Sequence, residues 1–218
     1  MDGKCVQKDF ERKHMNLNDL FPNIYVINVD SLTDRWNETK EILDKKSITY
    51  ERFQGIVPNE GKERADRDTG CFLSHKAIVE SAAKQKLDSV LVFEDDMYFD
   101  PKYNIDDYIM NLAAFLYSCP WELFYLGGNH EKQPSKTNYP NIVKVVLTKT
   151  THAIAYHKSS YELFLNSFYR GCPVDDFTVE TFQRRGYSYC TSPRLVSQRA
   201  GTSYILDGYR DNNYCLLD

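Results

Sequence analysis

S-V-L-V-F-E-D-D-M-Y-F, residues Ser89 to Phe99, runs from four apolar residues, Val90 to Phe93, straight into three carboxylates before turning apolar again at Met97. A short apolar run rich in β-branched and aromatic residues reads as a buried central strand. Glu94, Asp95 and Asp96 then stand at its carboxyl end, the edge at which open α/β sheets bind ligands. Adjacent like charges repel unless something neutralises them. A hard divalent cation, Mg²⁺ or Mn²⁺, prefers carboxylate oxygen and keeps positions open for phosphate oxygens. Glu94, Asp95 and Asp96 therefore read as a metal site holding a nucleotide diphosphate. The plainer alternative is a solvated strand-to-loop turn in which Asp95 or Asp96 caps a following helix.

Upstream, Ile24–Val29 is the first convincing strand, and Asp30, Ser31 and Thr33 supply turn and cap chemistry directly after it. Trp36, Ile42 and Leu43 then fall on one helical face between Asp34 and Lys46. Strand, tight turn and helix open a βαβ unit, with Arg35 in the first helical turn near the strand's carboxyl edge. Arg35 is thus a candidate nucleotide or phosphate contact, or an exposed helix arginine. Thr49–Phe53 alternates as a second strand that ends at Gln54-Gly55. Asn59–Asp68 is a polar, charged stretch expected to be a mobile loop. A helical pattern opens at Thr69-Gly70 and runs through Ala83, with Ser74 and His75 near its start; His75 is thus a candidate contact for a bound anion, or a hydrogen-bonded surface group.

Downstream, helical spacing spans Ile105–Tyr117, and Leu123–Leu126 is a short strand followed by Gly127-Gly128. Asn141–Leu147 and Thr150–Tyr156 read as strands. Ser159 and Glu162 form a capping-box pattern for a helix to Tyr169. The acidic pair Asp175-Asp176 opens another helix, running to Arg185. N-capping explains one of these aspartates but not both. Residues 1–20 have no sustained periodicity and read as a loose leader ahead of a single domain over 21–218. Strands alternating with helices predict one α/β domain with a largely parallel sheet.

The chain of 218 residues is long enough to bury a sizeable core. A net charge of −4 gives no basic footprint, so nucleic acid is not an expected partner. The apolar runs fall short of membrane-spanning length and the first residues are charged, so a soluble, cytoplasmic protein is expected, with peripheral membrane association left open. Six scattered cysteines without metal spacing are expected to be free thiols in a reducing compartment.

The order of these pieces resembles glycosyltransferase family 25, which contains lipooligosaccharide and collagen galactosyltransferases. The resemblance rests on I-N-V-D-S-L-T-D-R (Ile27–Arg35), G-C-F-L-S-H (Gly70–His75), L-V-F-E-D-D (Leu91–Asp96), T-H-A-I-A-Y (Thr151–Tyr156) and V-D-D-F (Val174–Phe177). It extends from about Ile24 to about Ile205 and does not imply collagen as the acceptor. What it implies is a Rossmann-like glycosyltransferase A-type fold, a UDP-sugar donor carrying galactose or glucose, a glycan or glycoconjugate acceptor, and Mn²⁺ or Mg²⁺. On that pattern Asn28, Arg35, Gly55, Ser74, His75, Glu94 and Asp95 are expected to contact the donor. Glu94, Asp95 and Asp96 would hold the metal, and Asp175 or Asp176 would be the catalytic base of an inverting transfer, Asp175 being preferred. The competing expectation is a non-catalytic nucleotide-sugar or carbohydrate-binding module of the same fold.

Overall fold

Strict alternation along the central strands divides the protein's interior into two cores. The computed structural model describes residues 15–205 and 208–210. In chain order these form α1 (Leu17–Leu20), β1 (Ile24–Asn28), α2 (Thr33–Lys45), β2 (Glu51–Gln54), α3 (Arg64–Lys84), β3 (Ser89–Glu94) and β4 (Met97–Phe99). Next come α4 (Ile109–Leu116), β5 (Leu123–Tyr125), β6 (Asn129–His130), β7 (Ser135–Lys136), β8 (Ile142–Lys144), β9 (Thr148–Lys149) and β10 (Ala153–His157). The chain continues through α5 (Lys158–Asn166), α6 (Val174–Thr181), β11 (Ser188–Thr191), β12 (Val196–Gln198), β13 (Gly201–Ser203) and β14 (Gly208–Arg210).

The main sheet has the order β2-β1-β3-β10-β5-β11-β8-β7. Strands β2, β1, β3, β5, β11 and β7 run one way, and β10 and β8 run the other. The largely parallel sheet expected from the sequence is therefore present in strand direction, with β10 inserted antiparallel at its centre. Period-two alternation sends Leu91 and Phe93, Ala153 and Ala155, and Phe124 to one face, where they meet Leu43 of α2 and Ile109, Leu112 and Phe115 of α4. Val90 and Val92, Ile154 and Tyr156, and Leu123 and Tyr125 go to the other, against Phe72 and Ile78 of α3, Phe164 of α5 and Phe177 of α6. Both faces are covered, which is why β3 reads as an unbroken apolar run.

Several boundaries differ from the sequence expectation. Residues 1–14 of the expected leader lie outside the described residues. Residues 16–20 are not loose: Asn16 and Asp19 cap α1 reciprocally, and Leu17 and Leu20 are buried. The charged stretch Asn59–Asp68 is a loop only in part. Pro58–Gly61 is a 3₁₀ turn, and α3 already starts at Arg64, where the Asp66 carboxylate accepts the Glu63 N–H and holds the helix start. His157, not Ser159, caps α5. Pro173 occupies the cap position of α6, so neither Asp175 nor Asp176 serves as its cap. Cys71 and Cys172 carry free thiols, whereas Cys119 is disulfide-bonded. That bond removes the cysteine argument for a reducing compartment. Among the described residues no helix is long and apolar enough to cross a membrane.

One close approach sets the site's floor. A Cβ built on Gly70 would lie 2.2 Å from the Ile56 carbonyl oxygen and 3.1 Å from Pro58 Cδ, so only glycine lets α3 dock against the segment that follows β2. Gly70→Ala is expected to lower stability by ~2 kcal/mol, within the range for overpacking. Urea unfolding followed by circular dichroism measures it, and an unchanged midpoint would show that this approach is not tight.

Candidate active site

The three acids at the end of β3 occupy three different environments. Asp95 turns inward and is 6% exposed. Its Oδ2 accepts a hydrogen bond from Asn28 Nδ2 at 2.6 Å, and its Oδ1 lies 2.7 Å from Arg35 Nη2. The same guanidinium nitrogen sits 2.6 Å from Asp96 Oδ2, so Arg35 bridges two adjacent carboxylates. Burial pushes the Asp95 carboxyl up to about 6, against the opposing pull of Arg35 and with the Asp96 charge adding to the rise. The backbone of this turn is clamped as well. Arg199 Nη2 and Thr39 Oγ1 donate to the Asp95 carbonyl at 2.5 and 2.7 Å, and the Arg199 N–H donates to the Asp96 carbonyl.

Glu94 faces the cleft. Its Oε1 accepts from Thr151 Oγ1 at 2.6 Å and lies 3.4 Å from His75 Nε2 and 4.0 Å from Cys71 Sγ. Burial alone would raise this carboxyl, but the contacts with His75 and Thr151 outweigh it and hold the group below its ordinary value. Asp96, flanked by Arg35, also lies 3.5 Å from Gln198 Nε2.

Two cavities meet at this edge, sharing Cys71, Glu94, Gln198 and Ile205 as wall. The smaller, about 120 Å³, is lined by the apolar Ile27, Val29, Leu32 and Ile56 together with Arg35 and Asp96. The larger, about 330 Å³, is reached from Glu94 across Thr151 to Lys149, Asp175 and Asp176. Asp175 Oδ1 accepts the Asp176 N–H at 2.8 Å, and its Oδ2 accepts the Thr150 N–H at 3.3 Å. Burial pushes its carboxyl up; the Thr150 N–H and Lys149 oppose the rise, and Glu94 adds to it. Asp176 is ion-paired with Lys149.

The structure thus brings Arg35, Gly55, Ser74, Glu94, Asp95 and Asp96 to the small cavity and Glu94, Asp175 and Asp176 to the large one. Asn28 stands behind Asp95, with its amide oxygen held by Arg52 at 2.6 Å. Ser74 Oγ accepts the Ile56 N–H and donates to the Gly70 carbonyl, which ties α3 to the cavity's rim. His75 does not reach the cavity. Because α3 starts at Arg64, His75 lies mid-helix and wholly buried, 3.0 Å from the Tyr156 hydroxyl and behind Glu94. Sequence inspection passed over Cys71, Lys149, Thr151, Gln198 and Arg199. Cys71 and Thr151 carried a local signal, the first one helical turn before His75 within G-C-F-L-S-H and the second opening T-H-A-I-A-Y.

The sequence model described as Glycosyltransferase family 25 (LPS biosynthesis protein) matches residues 21–187. A human protein named Inactive glycosyltransferase 25 family member 3 is 32% identical over 58% of this chain and 22% of its own length. Human Procollagen galactosyltransferase 2 is 28% identical over 61% of this chain and 22% of its own. A Drosophila melanogaster Glycosyltransferase 25 family member is 24% identical over 83% and 33%, respectively. The matched stretches therefore span a third or less of these curated relatives. Among solved structures, a glycosyltransferase involved in the glycosylation of the major capsid of PBCV-1 superposes with a TM-score of 0.50 at 17% identity, covering 84% of this chain and 94% of that one. That likeness concerns the fold.

The raised Asp95 carboxyl has a thermodynamic signature. Its folded value, about 6, exceeds the ordinary 3.8, so the folded state holds the proton more tightly. The stability this contributes is fully present below pH 3.8 and is lost as pH rises through about 6. Asp95→Asn should flatten that part of the stability profile by on the order of 2 kcal/mol. Denaturant titrations of both proteins between these pH values measure it, and parallel profiles would mean that Asp95 is not desolvated.

Proposed function

This chain belongs to glycosyltransferase family 25, and from that membership and the geometry of its cleft we propose that it transfers a hexose, galactose or glucose, from a UDP-sugar to a glycan or glycoconjugate hydroxyl with inversion. The observation that carries the proposal is the convergence of Glu94 and Asp96 from one element and Asp175 from another on adjoining cavities. The small cavity, whose wall combines apolar residues with Arg35 and the acids, suits a nucleoside diphosphate.

Glu94 and Asp96 fit a hard divalent cation, because both offer carboxylate oxygen at the cavity wall and Glu94 Oε2 takes no hydrogen bond among the described residues. Asp95 fits less well as a third ligand. Both its oxygens are engaged, by Arg35 and Asn28, so it is assigned the task of holding Arg35. Bound there, Mn²⁺ or Mg²⁺ would neutralise charge on the departing diphosphate.

Asp175 is the proposed base. Two backbone N–H groups orient its carboxylate, which retains lone pairs for an acceptor hydroxyl, and its raised pKa makes it a better proton acceptor than an ordinary aspartate. The acceptor oxygen, losing its proton to Asp175, bonds to the anomeric carbon as the bond to the diphosphate breaks. Asp176, held by Lys149, is less available for that proton. His75 and Thr151 keep Glu94 oriented and ionised.

A second reading is supported by one observation. Arg35 already neutralises Asp95 and Asp96 from within the chain, as suits a module that binds nucleotide-sugar or carbohydrate without turnover. A thermal-shift titration against UDP-sugars, each with and without Mn²⁺, followed by an assay for released UDP, separates the two. A metal-dependent shift with turnover supports the transferase, and a shift without turnover supports the module.

Asp175→Asn is expected to reduce kcat by ~10²–10⁴-fold while leaving donor binding unchanged. In the native enzyme kcat should fall as pH drops through the raised Asp175 value, because protonation removes the base, and this acid limb should vanish in the variant. A loss below tenfold would remove Asp175 from the role.

A further inference from the structure

Cys71 and His75 lie four residues apart on α3 and so share a face of the helix. That face looks at Glu94, where β3 ends. The ligand atoms of the three residues lie within 4.8 Å of one another, with Glu94 Oε1 3.4 Å from His75 Nε2 and 4.0 Å from Cys71 Sγ. A tetrahedral zinc ion with bonds of about 2.0–2.3 Å keeps its ligand atoms roughly 3.3–3.7 Å apart. The Glu94–His75 spacing already falls in that range and the Glu94–Cys71 spacing lies a few tenths of an ångström beyond it.

The surroundings match those of a metal centre. His75 is wholly buried; a cation bound at its Nε2 replaces the proton that Nε2 shares with Glu94, and the neutral ring then carries its proton on Nδ1, where it can be donated to the Tyr156 hydroxyl at 3.0 Å. Thr151 Oγ1 donates to the same carboxylate oxygen, Glu94 Oε1, at 2.6 Å and fixes its orientation. Such outer contacts orient metal-bound imidazole and carboxylate groups. Cys71 and Glu94 both line the two cavities, so a fourth position opens to water or ligand. Sulfur and imidazole select against Mg²⁺ and in favour of zinc-class ions.

We propose that Cys71, His75 and Glu94 form a binding site for a thiophilic divalent cation of the zinc class, next to the Glu94–Asp96 pair and sharing Glu94 with it. Binding releases the thiol proton to solvent and takes Glu94 away from the donor side of the cleft. Zinc is therefore an inhibitor of transfer, a consequence that rests on the proposed transferase activity, whereas the binding itself does not.

The test is direct titration of the purified full chain with Co²⁺ under anaerobic conditions, without nucleotide, followed by Zn²⁺ competition. One equivalent of Co²⁺ should produce a thiolate-to-cobalt charge-transfer band together with tetrahedral ligand-field bands, and Zn²⁺ but not Mg²⁺ should abolish them. Cys71→Ser should remove the charge-transfer band, and Tyr156→Phe, which keeps all three ligands, should weaken zinc binding ~10–100-fold. Circular dichroism confirms that each variant is folded. The absence of a charge-transfer band in the wild type, or its persistence in Cys71→Ser, overturns the site. If zinc binds as described and no donor is ever turned over, the cation site stands and the transferase proposal falls.

Discussion

The carboxyl edge of the sheet depends on the contact between Arg35 and the buried Asp95. A carboxylate at 6% exposure is costly to ionise unless a cation and hydrogen bonds accompany it, and Arg35 and Asn28 provide both. Asp95 is held by Arg35 and Asn28 at the cavity wall, and its less buried neighbours Glu94 and Asp96 line the same cavity. The alternation that sorts apolar residues between two cores thus continues one step past the strand and sorts the acids by burial. Arg199 and Thr39 then hold the turn by its carbonyls, so the spacing of the two less buried carboxylates is set by backbone contacts rather than by their mutual repulsion.

A second constraint comes from β10, which runs antiparallel between β3 and β5. Reversal brings the start of that strand, and Thr151 just before it, to the end of β3 where Glu94 lies. The preceding residues, Lys149 and Thr150, then reach Asp176 and Asp175 at the start of α6. One short segment, 149–151, therefore links the acids of β3 to those of α6. Had β10 run parallel to its neighbours, its beginning would have been at the opposite edge, and the two acidic groups would have lacked this bridge.

Burial and pairing distinguish groups that look equivalent along the chain. Asp175 and Asp176 are adjacent, yet one is desolvated and held by backbone amides while the other is neutralised by Lys149. His75 and Ser74 are also adjacent, and each supports the site from behind, through Glu94 and through the Ile56 N–H respectively. Cys71, on the same helix, is the side chain of that motif that lines both cavities.

The sequence by itself determined the α/β class, the strand that ends in the acids, the first βαβ unit and the second acidic pair, because these depend on local periodicity and on charge placed directly after an apolar run. It also carried the family resemblance through motifs in fixed order. It did not disclose that α3 starts at Arg64, that His75 is buried mid-helix, or that Asp95 is the most buried of the three acids and is held by Arg35 and Asn28, since each depends on partners distant in the chain. Lys149 and Arg199 were illegible for the same reason: nothing local marks a lysine that will meet Asp176 or an arginine that will clamp the carbonyl of Asp95. Only the folded sheet, by placing β10 antiparallel beside β3, decided which polar groups share one dielectric environment. Ionisation and pairing follow from that proximity.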